Sequence, residues 1–356
     1  MSEVELRLRD LRERIADADS ELLRALEQRL ALSLEMQPYL EGTQPQDVGR
    51  EAWVDALIAR GTNNKIPAEA LRAVLLQLRA EAHALERPTA VAYLGPEGGL
   101  GYQVARAHFG RSAELVECPS IARCLEEVSR GRAAFAVFPF ESSEDGLSQS
   151  ALDALANSEL TLTAERRVPY RLDLVNQTGN LGDIEKLYLT AHAHTVCEQF
   201  LQKELPRATV LDVRSPVVAL QLVSGDAGGA AIVPAGSELG EYQVVRSNVG
   251  DEPDMRYRFG VATARPSGRS GRDTTALLFS VDDTAGALFD VLRHFAERGV
   301  NLKMLQSRPV KGENWDYLFY VELSGHVTDR ALVTAIESVK RSTRFLKVLG
   351  SFPSES

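Results

Sequence analysis

The sequence predicts a multidomain protein: an all-α segment, then a two-lobed α/β segment, then a small α+β unit. Three observations predict it. Residues 1–87 carry only helical periodicity. From Ala90 onward, short apolar runs alternate with amphipathic stretches, the pattern of strands and helices in alternation. After Arg265-Pro266-Ser267-Gly268-Arg269-Ser270-Gly271-Arg272, a run with linker composition, the pattern becomes β, α, β, β, α, β. The expected domains are therefore 1–87, 90–265 and 273–356.

In the first segment, Leu8, Leu11, Ile15, Leu22, Leu26, Leu30 and Leu34 mark one apolar stripe on a long helix. Pro38, Gly42 and Pro45 interrupt it. A second helical pattern starts near Asp47 and ends at Gly61. Pro67 then occupies a first-turn position, and a third helix runs to about Glu86. Three helices with one long member bury little of such a stripe, so an intertwined homodimer is the expected cover.

In the second segment, Ala90–Tyr93, Glu114–Val116 and Ala134–Phe138 read as strands, with helices over Leu100–Phe109 and Ile121–Arg130. A second set follows, with strands at Leu187–Leu189, Thr209–Leu211 and Ala230–Val233. Two such sets predict two lobes, each built on a mostly parallel sheet, with a ligand cleft between them. His192 and His194 alternate like strand neighbours and lack a third metal ligand, so no metal is expected. Gly98, Gly99 and Gly101 lack dinucleotide-loop spacing, and no cofactor is expected.

The last unit opens with the strand-like Ala276–Val281 and then Gly286-Ala287-Leu288-Phe289. Apolar residues at Leu288, Val291, Leu292 and Phe295 place a helix there, ended by Gly299. Val300-Asn301-Leu302 begins a strand that reaches Gln306-Ser307-Arg308-Pro309. Tyr317–Leu323 and a helix over Ala331–Lys340 follow.

The chain of 356 residues is 44% hydrophobic and 25% charged, an ordinary globular composition. A formal charge of −10 argues against a nucleic-acid or anionic-membrane surface. Cys118, Cys124 and Cys197 form no CxxC pair, which fits a reducing cytoplasm. The charged N-terminus lacks an apolar core, so no signal peptide is expected, and no apolar run reaches membrane-spanning length.

Gly286-Ala287-Leu288 and Ser307-Arg308-Pro309 resemble motifs of the ACT domain, an amino-acid-sensing module, in the form attached to prephenate dehydratases. Leu11-Arg12-Glu13-Arg14-Ile15 resembles the opening of a chorismate mutase helix. Leu94-Gly95-Pro96-Glu97-Gly98, Pro139-Phe140-Glu141-Ser142 and Tyr257-Arg258-Phe259 resemble dehydratase motifs. The order of the three parts is similar to the bifunctional chorismate mutase–prephenate dehydratase family over essentially the whole chain.

That resemblance implies a mutase site with Arg12, Arg29, Asp47, Arg50, Glu51 and Glu86, and a dehydratase site with Glu141, Tyr257, Arg258 and Phe259. It implies a phenylalanine site with Gly286, Ala287, Leu288, Asn301, Leu302, Ser307 and Arg308. The implied substrates are chorismate and prephenate, and the implied assembly is a homodimer or higher. Arginine suits a dicarboxylate because its planar fork binds carboxylate in two places. Arg12 and Arg29 lie about 100° apart around one helix, so Arg12 of one chain is expected to complete the site holding Arg29 of another.

Departures from the family pattern fall at substrate-facing positions. Leu40 stands where the family has lysine, Gly99 and Gly101 where it has hydroxyl residues, Ser142 where it has asparagine, and Tyr257 where it has a catalytic threonine. Glu144 and Asp145 replace small polar residues. Two readings follow: a divergent bifunctional enzyme inhibited by phenylalanine, or a catalytically degenerate paralogue that senses phenylalanine or acts on a related cyclohexadienyl acid.

Overall fold

A computed structural model describes residues 3–40, 56–58, 67–86, 90–111, 113–309 and 317–354. Helices α1 (Glu3–Leu40) and α2 (Ala68–Glu86) form the N-terminal segment. The 38 residues of α1 make a rod about 57 Å long. Leu26, Arg29 and Leu30 are half-buried, and α1 packs on α2. Leu8, Leu11, Ile15 and Leu22 stay 41–61% exposed, so the predicted stripe is only partly covered within one chain.

The first lobe comprises β1 (Ala90–Leu94), α3 (Leu100–Phe109), β2 (Glu114–Cys118), α4 (Ile121–Ser129), β3 (Phe135–Ser142), β4 (Gly146–Leu147), α5 (Gln149–Ala156) and β5 (Thr161–Pro169). The second comprises β6 (Leu172–Asn176), β7 (Lys186–Leu189), α6 (Ala191–Val196), α7 (Glu198–Glu204), β8 (Thr209–Asp212), α8 (Pro216–Ser224), β9 (Gly229–Pro234) and β10 (Gln243–Arg246). The chain then returns to the first lobe as β11 (Arg256–Thr263). The C-terminal unit is β12 (Asp273–Ser280), α9 (Ala287–Ala296), β13 (Leu302–Pro309), β14 (Tyr317–Ser324), α10 (Arg330–Arg341) and β15 (Phe345–Pro353).

Both lobes have mixed sheets, where the alternation predicted mostly parallel ones. In the first, β1 pairs in parallel with β2 and β3, but β11 runs antiparallel to both β3 and β5. In the second, β7 is parallel to β8 and β9, whereas β6 is antiparallel to β9 and β10. The antiparallel strands are those at the two chain crossings. The chain passes from β5 through Tyr170 into β6, and returns from β10 through 247–255 into β11, without the crossover helix that parallel pairing needs. Tyr170 N donates to Met255 O at 2.8 Å and ties the two crossings together.

His192 and His194 sit in the helix α6, not on a strand. The Thr190 hydroxyl accepts from Ala193 N at 3.3 Å and caps that helix, which overrides the alternating pattern. Ser215 caps α8 in the same way, with Pro216 at its first position.

One sheet runs through the first lobe and the C-terminal unit, in the order β13-β14-β12-β15-β5-β11-β3-β1-β2. The join is a single ladder pair between β15 and β5, Gly350 with Leu162. Strand alternation explains the unbroken apolar run at Ala276–Phe279. Ala276 and Leu278 face the first lobe, in a core shared with Phe140, Leu162, Tyr320 and Phe352. Leu277 and Phe279 face the other way, against Val291, Phe295, Leu332 and Val339 from α9 and α10. The stretch with linker composition is also pinned. Ser267 O lies 3.2 Å from His326 Nε2, Arg269 pairs with Asp329, and Ser270 N donates to Asp273 Oδ2 at 3.0 Å.

Candidate active site

A cavity of about 550 Å³ lies between the lobes. Its first-lobe wall includes Tyr257 and Phe259 from β11, Pro139 from β3, and the loop through Gly99 and Gly101 into α3. The second lobe contributes Thr190 and His192 at the start of α6, and Arg214 with Pro216 at the start of α8. Tyr170 lines it from the crossing. Among the described residues no carboxylate lines it, and Arg214, exposed at the edge, is its one cationic side chain.

Gly101 occupies a place no side chain fits, because a Cβ there would lie 2.3 Å from Leu94 O. Its glycine lets α3 start close against β1. Gly99 caps α3 without a side-chain acceptor, so the positive end of α3 meets the cavity beside that of α8. The two lobes touch here, since a Cβ on Gly98 would come within 2.9 Å of Val217 Cγ2.

The proton-bearing groups are grouped tightly. Tyr257 Oη and His192 Nε2 are 3.1 Å apart, a hydrogen bond across the cleft. Tyr170 stacks on the His192 ring at 5.3 Å and meets Tyr257 edge-on at 5.4 Å. Burial pushes the Tyr257 phenol up to about 12, with help from the negative charges of Asp145 and Glu144. Burial holds His192 below its ordinary value, against the opposing pull of the same two carboxylates. At neutral pH the site therefore holds a protonated phenol beside a neutral imidazole. A largely apolar pocket, open to solvent on the His192 side, with one cation, two helix N-termini and a phenol–imidazole pair suits a small ring-bearing organic anion. It can also deliver a proton to a leaving oxygen.

A larger groove of about 1360 Å³ borders α2, α3, α8 and the 236–242 loop. Its polar groups satisfy one another: Arg106 donates to Arg111 O and Ala113 O, Arg111 pairs with Glu238, and Tyr242 Oη donates to Leu220 O. Its two phenols are already engaged, Tyr102 accepting from Arg106 Nε and Tyr242 donating to Leu220 O.

Of the expected dehydratase residues, Tyr257 and Phe259 line the cavity, whereas Glu141 and Arg258 do not. Strand alternation turns Arg258 to the opposite face of the sheet. There its buried guanidinium meets Glu141 Oε2 (2.7 Å from Nε), Glu165 Oε2 (3.1 Å from Nη1) and Glu322 Oε1 (2.5 Å from Nη1). The Nε contact is a close ion pair without hydrogen-bond alignment. A direct grip by Arg258 on a substrate carboxylate is thereby replaced by a structural ion cluster. Ser142 accepts from Asp145 N at 2.8 Å and holds the turn carrying Glu144 and Asp145. Thr190, Tyr170, His192 and Arg214 complete the cavity without having been singled out as site residues. Thr190, which accepts from Ala193 N as the cap of α6, is the local signal that could have placed His192 on a helix.

Arg12 is exposed on α1, and Arg29, which has a partner, is half-buried about 25 Å farther along the same rod. One chain therefore does not bring them together. Asp47, Arg50 and Glu51 lie outside the described residues. Leu40 and Glu86 end α1 and α2, with side chains outside the described set.

The effector positions form two groups within the chain. Gly286, in the left-handed region at φ +89°, starts α9 with Ala287 and Leu288. Ser307 and the end of β12 both register with Phe319, whereas Leu302 pairs with Leu323 at the other end of β14. Leu302 is thus about 17 Å from Ser307 along the strand, and Asn301 precedes it. Arg308 faces the first lobe, with Nη1 2.5 Å from Asp153 Oδ1 of α5.

Fold and cavity define a two-lobed α/β enzyme-type domain that carries a helical N-terminal segment and a C-terminal ACT domain. Residues 91–267 match the prephenate dehydratase family and residues 275–341 the ACT domain family. The chain is 32% identical to the bifunctional chorismate mutase/prephenate dehydratase of Aquifex aeolicus (strain VF5), across 97% of this chain and 98% of the relative. It is 32% identical to the protein of the same description from Neisseria gonorrhoeae (strain ATCC 700825 / FA 1090), across 96% of each. The chain belongs to the bifunctional chorismate mutase/prephenate dehydratase family. Among solved structures, a prephenate dehydratase from Arthrobacter aurescens in complex with L-Phe is similar. It is 30% identical, covers 74% of this chain and 90% of its own, and gives a TM-score of 0.64.

Proposed function

We propose that this chain converts chorismate to prephenate and prephenate to phenylpyruvate, with phenylalanine as effector. The observation that carries the dehydratase half is the Tyr257–His192 pair in the cavity between the lobes. The phenol takes over the role the family gives to threonine. Tyr257 donates its proton to the ring hydroxyl of prephenate, the C–O bond breaks, and water leaves. The ring carboxylate departs as CO₂, its C–C bonding pair entering the ring, which becomes aromatic. His192 Nε2 supports the phenol and returns a proton to it, and solvent supplies the net proton consumed. Arg214 and the starts of α3 and α8 hold the substrate carboxylates. A positioned general acid of this kind contributes on the order of 10²–10⁴ in rate.

The mutase half rests on Arg12 and Arg29, which only a second copy of α1 brings to one ligand. A homodimer through the α1 stripe supplies that copy. A second copy also reunites the separated halves of the phenylalanine site. Glu144 and Asp145 favour the alternative reading, a paralogue that has lost one activity, because their charge opposes a dianion at the cavity. Purified protein given chorismate and then prephenate, followed by loss of each chromophore, decides between them. In the enzyme reading Tyr257→Phe lowers phenylpyruvate formation at least 100-fold and leaves chorismate consumption unchanged. Turnover within twofold of wild type removes Tyr257 from the mechanism. No prephenate turnover by wild type leaves the sensing reading, which calorimetry with phenylalanine then tests.

A further inference from the structure

The ion cluster around Arg258 joins two parts of the chain that the family matches treat separately. Glu141, Glu165 and Arg258 come from β3, β5 and β11 of the first lobe. Glu322 and Tyr320 come from β14, and Met304 from β13, of the ACT domain. Tyr320 Oη donates to Glu322 Oε1 at 2.5 Å, Arg258 Nη2 lies 3.8 Å from Met304 Sδ, and the guanidinium sits 5.2 Å over the Phe140 ring. Arg258 and Glu322 are each about 5% exposed, so the contact is sheltered from solvent and salt.

Position gives the cluster its reach. Arg258 lies between Tyr257 and Phe259, the two β11 residues that form the cavity wall. Glu322 lies on the strand that registers directly with the effector motif: Met304 pairs with Glu322, Ser307 with Phe319 and Arg308 with Leu318. One guanidinium serves three carboxylates, and Nη1 is shared between Glu165 and Glu322. The sharing makes the balance between the two carboxylates depend on where β14 stands. Two other side chains cross the same seam, Arg308 to Asp153 and Lys347 to the Ala156 and Ser158 carbonyls, but both land on α5 or the turn after it, away from the cavity.

We propose that Arg258 is a positioning residue for Tyr257, and that Glu322 is the ACT-domain side chain through which the effector domain sets that position. Effector binding that moves β13 and β14 is transmitted by the Glu322–Arg258 contact to the cavity wall. A coupling between sites of this kind is worth about 5- to 150-fold in affinity. The effector arm of the test rests on the function proposed above; the first arm does not.

The test uses the full chain with Glu322→Gln and Glu322→Ala, both checked for an unshifted oligomeric state. In the first arm, amide exchange is followed without ligand. The expected result for Glu322→Ala is at least tenfold faster exchange at residues 257–259, with β1 and β2 at their wild-type rates. Equal rates at 257–259, or uniform acceleration across the lobe, overturns the proposal. In the second arm, prephenate turnover is measured with and without phenylalanine. Glu322→Gln is expected to cut the effector's effect on kcat/KM at least tenfold while phenylalanine still binds within threefold of wild type. Full retention of that effect also overturns the proposal. Wild-type protein that turns over no prephenate refutes the dehydratase reading alone, and the first arm then decides the coupling.

Discussion

Gly350→Ala tests the seam between the lobe and the ACT domain. Gly350 has φ +147° and forms the single β15–β5 ladder pair. A Cβ there would lie 2.1 Å from Leu162 O and 2.7 Å from Leu162 N, both backbone atoms without a rotamer to escape into. The carbonyl must retreat by about 1.5 Å to reach ordinary contact. Strain at a backbone angle that favours glycine costs about 1–3 kcal/mol. Overpacking against fixed backbone costs about 1–3 kcal/mol more. The sum of about 2–6 kcal/mol corresponds to a loss in Tm on the order of 10 °C. Scanning calorimetry is the assay. The expected trace also broadens or splits, because β12–β15 lose their attachment to β5 and melt as a separate unit. A single transition within about 2 °C of wild type would refute the continuous sheet and the shared core behind it.

Two further outcomes follow from the charge cluster and the long helix. Burial raises the carboxyl pKa of Glu165, which Arg258 and Arg167 offset only in part. A carboxyl raised in the folded state stabilises fully below its ordinary value near pH 4.3 and loses that contribution as pH rises through the folded value. Glu165→Gln keeps an acceptor for Arg258 and needs no proton, so its Tm relative to wild type should climb between pH 4 and pH 8. A flat or falling difference contradicts the assignment. Ile15 is 61% exposed on α1, and Ile15→Glu should shift a dimer toward monomer in sedimentation velocity while leaving the lobes' melting unchanged. An unaltered sedimentation coefficient would show that the stripe is not the interface.

Much of this architecture is legible in local chemistry. The double-faced run Ala276–Phe279, the Ser215-Pro216 helix start and the Gly286 turn all follow from period, caps and glycine placement. Long-range pairing is not written locally. Arg258 reads as a substrate-binding arginine because it stands in the middle of the family triplet, here Tyr257-Arg258-Phe259. Only the pairing of β11 between β3 and β5, with an irregularity beside Phe140, decides where the guanidinium goes. Arg265–Arg272 has the composition of a loose linker, yet Ser267, Arg269 and Ser270 find partners at His326, Asp329 and Asp273. Composition cannot reveal partners such as His326 and Asp329 that arrive about sixty residues later. Tyr170 and Arg214 carry no motif at all, and the meeting of the two lobes is what makes them part of the site.

The bond between Tyr257 and His192 joins β11 of one lobe to α6 of the other. The chain connects those lobes only through the segments around Tyr170 and Met255, which the Tyr170 N to Met255 O hydrogen bond ties together. Any motion of one lobe against the other would have to bend these two segments, and Tyr170 lies in one of them as well as in the cavity wall. Opening separates the phenol from its imidazole, and closing reunites them. A phenol–imidazole pair shared by two lobes exists only while they are in contact, so under the function proposed above proton transfer is confined to the closed form.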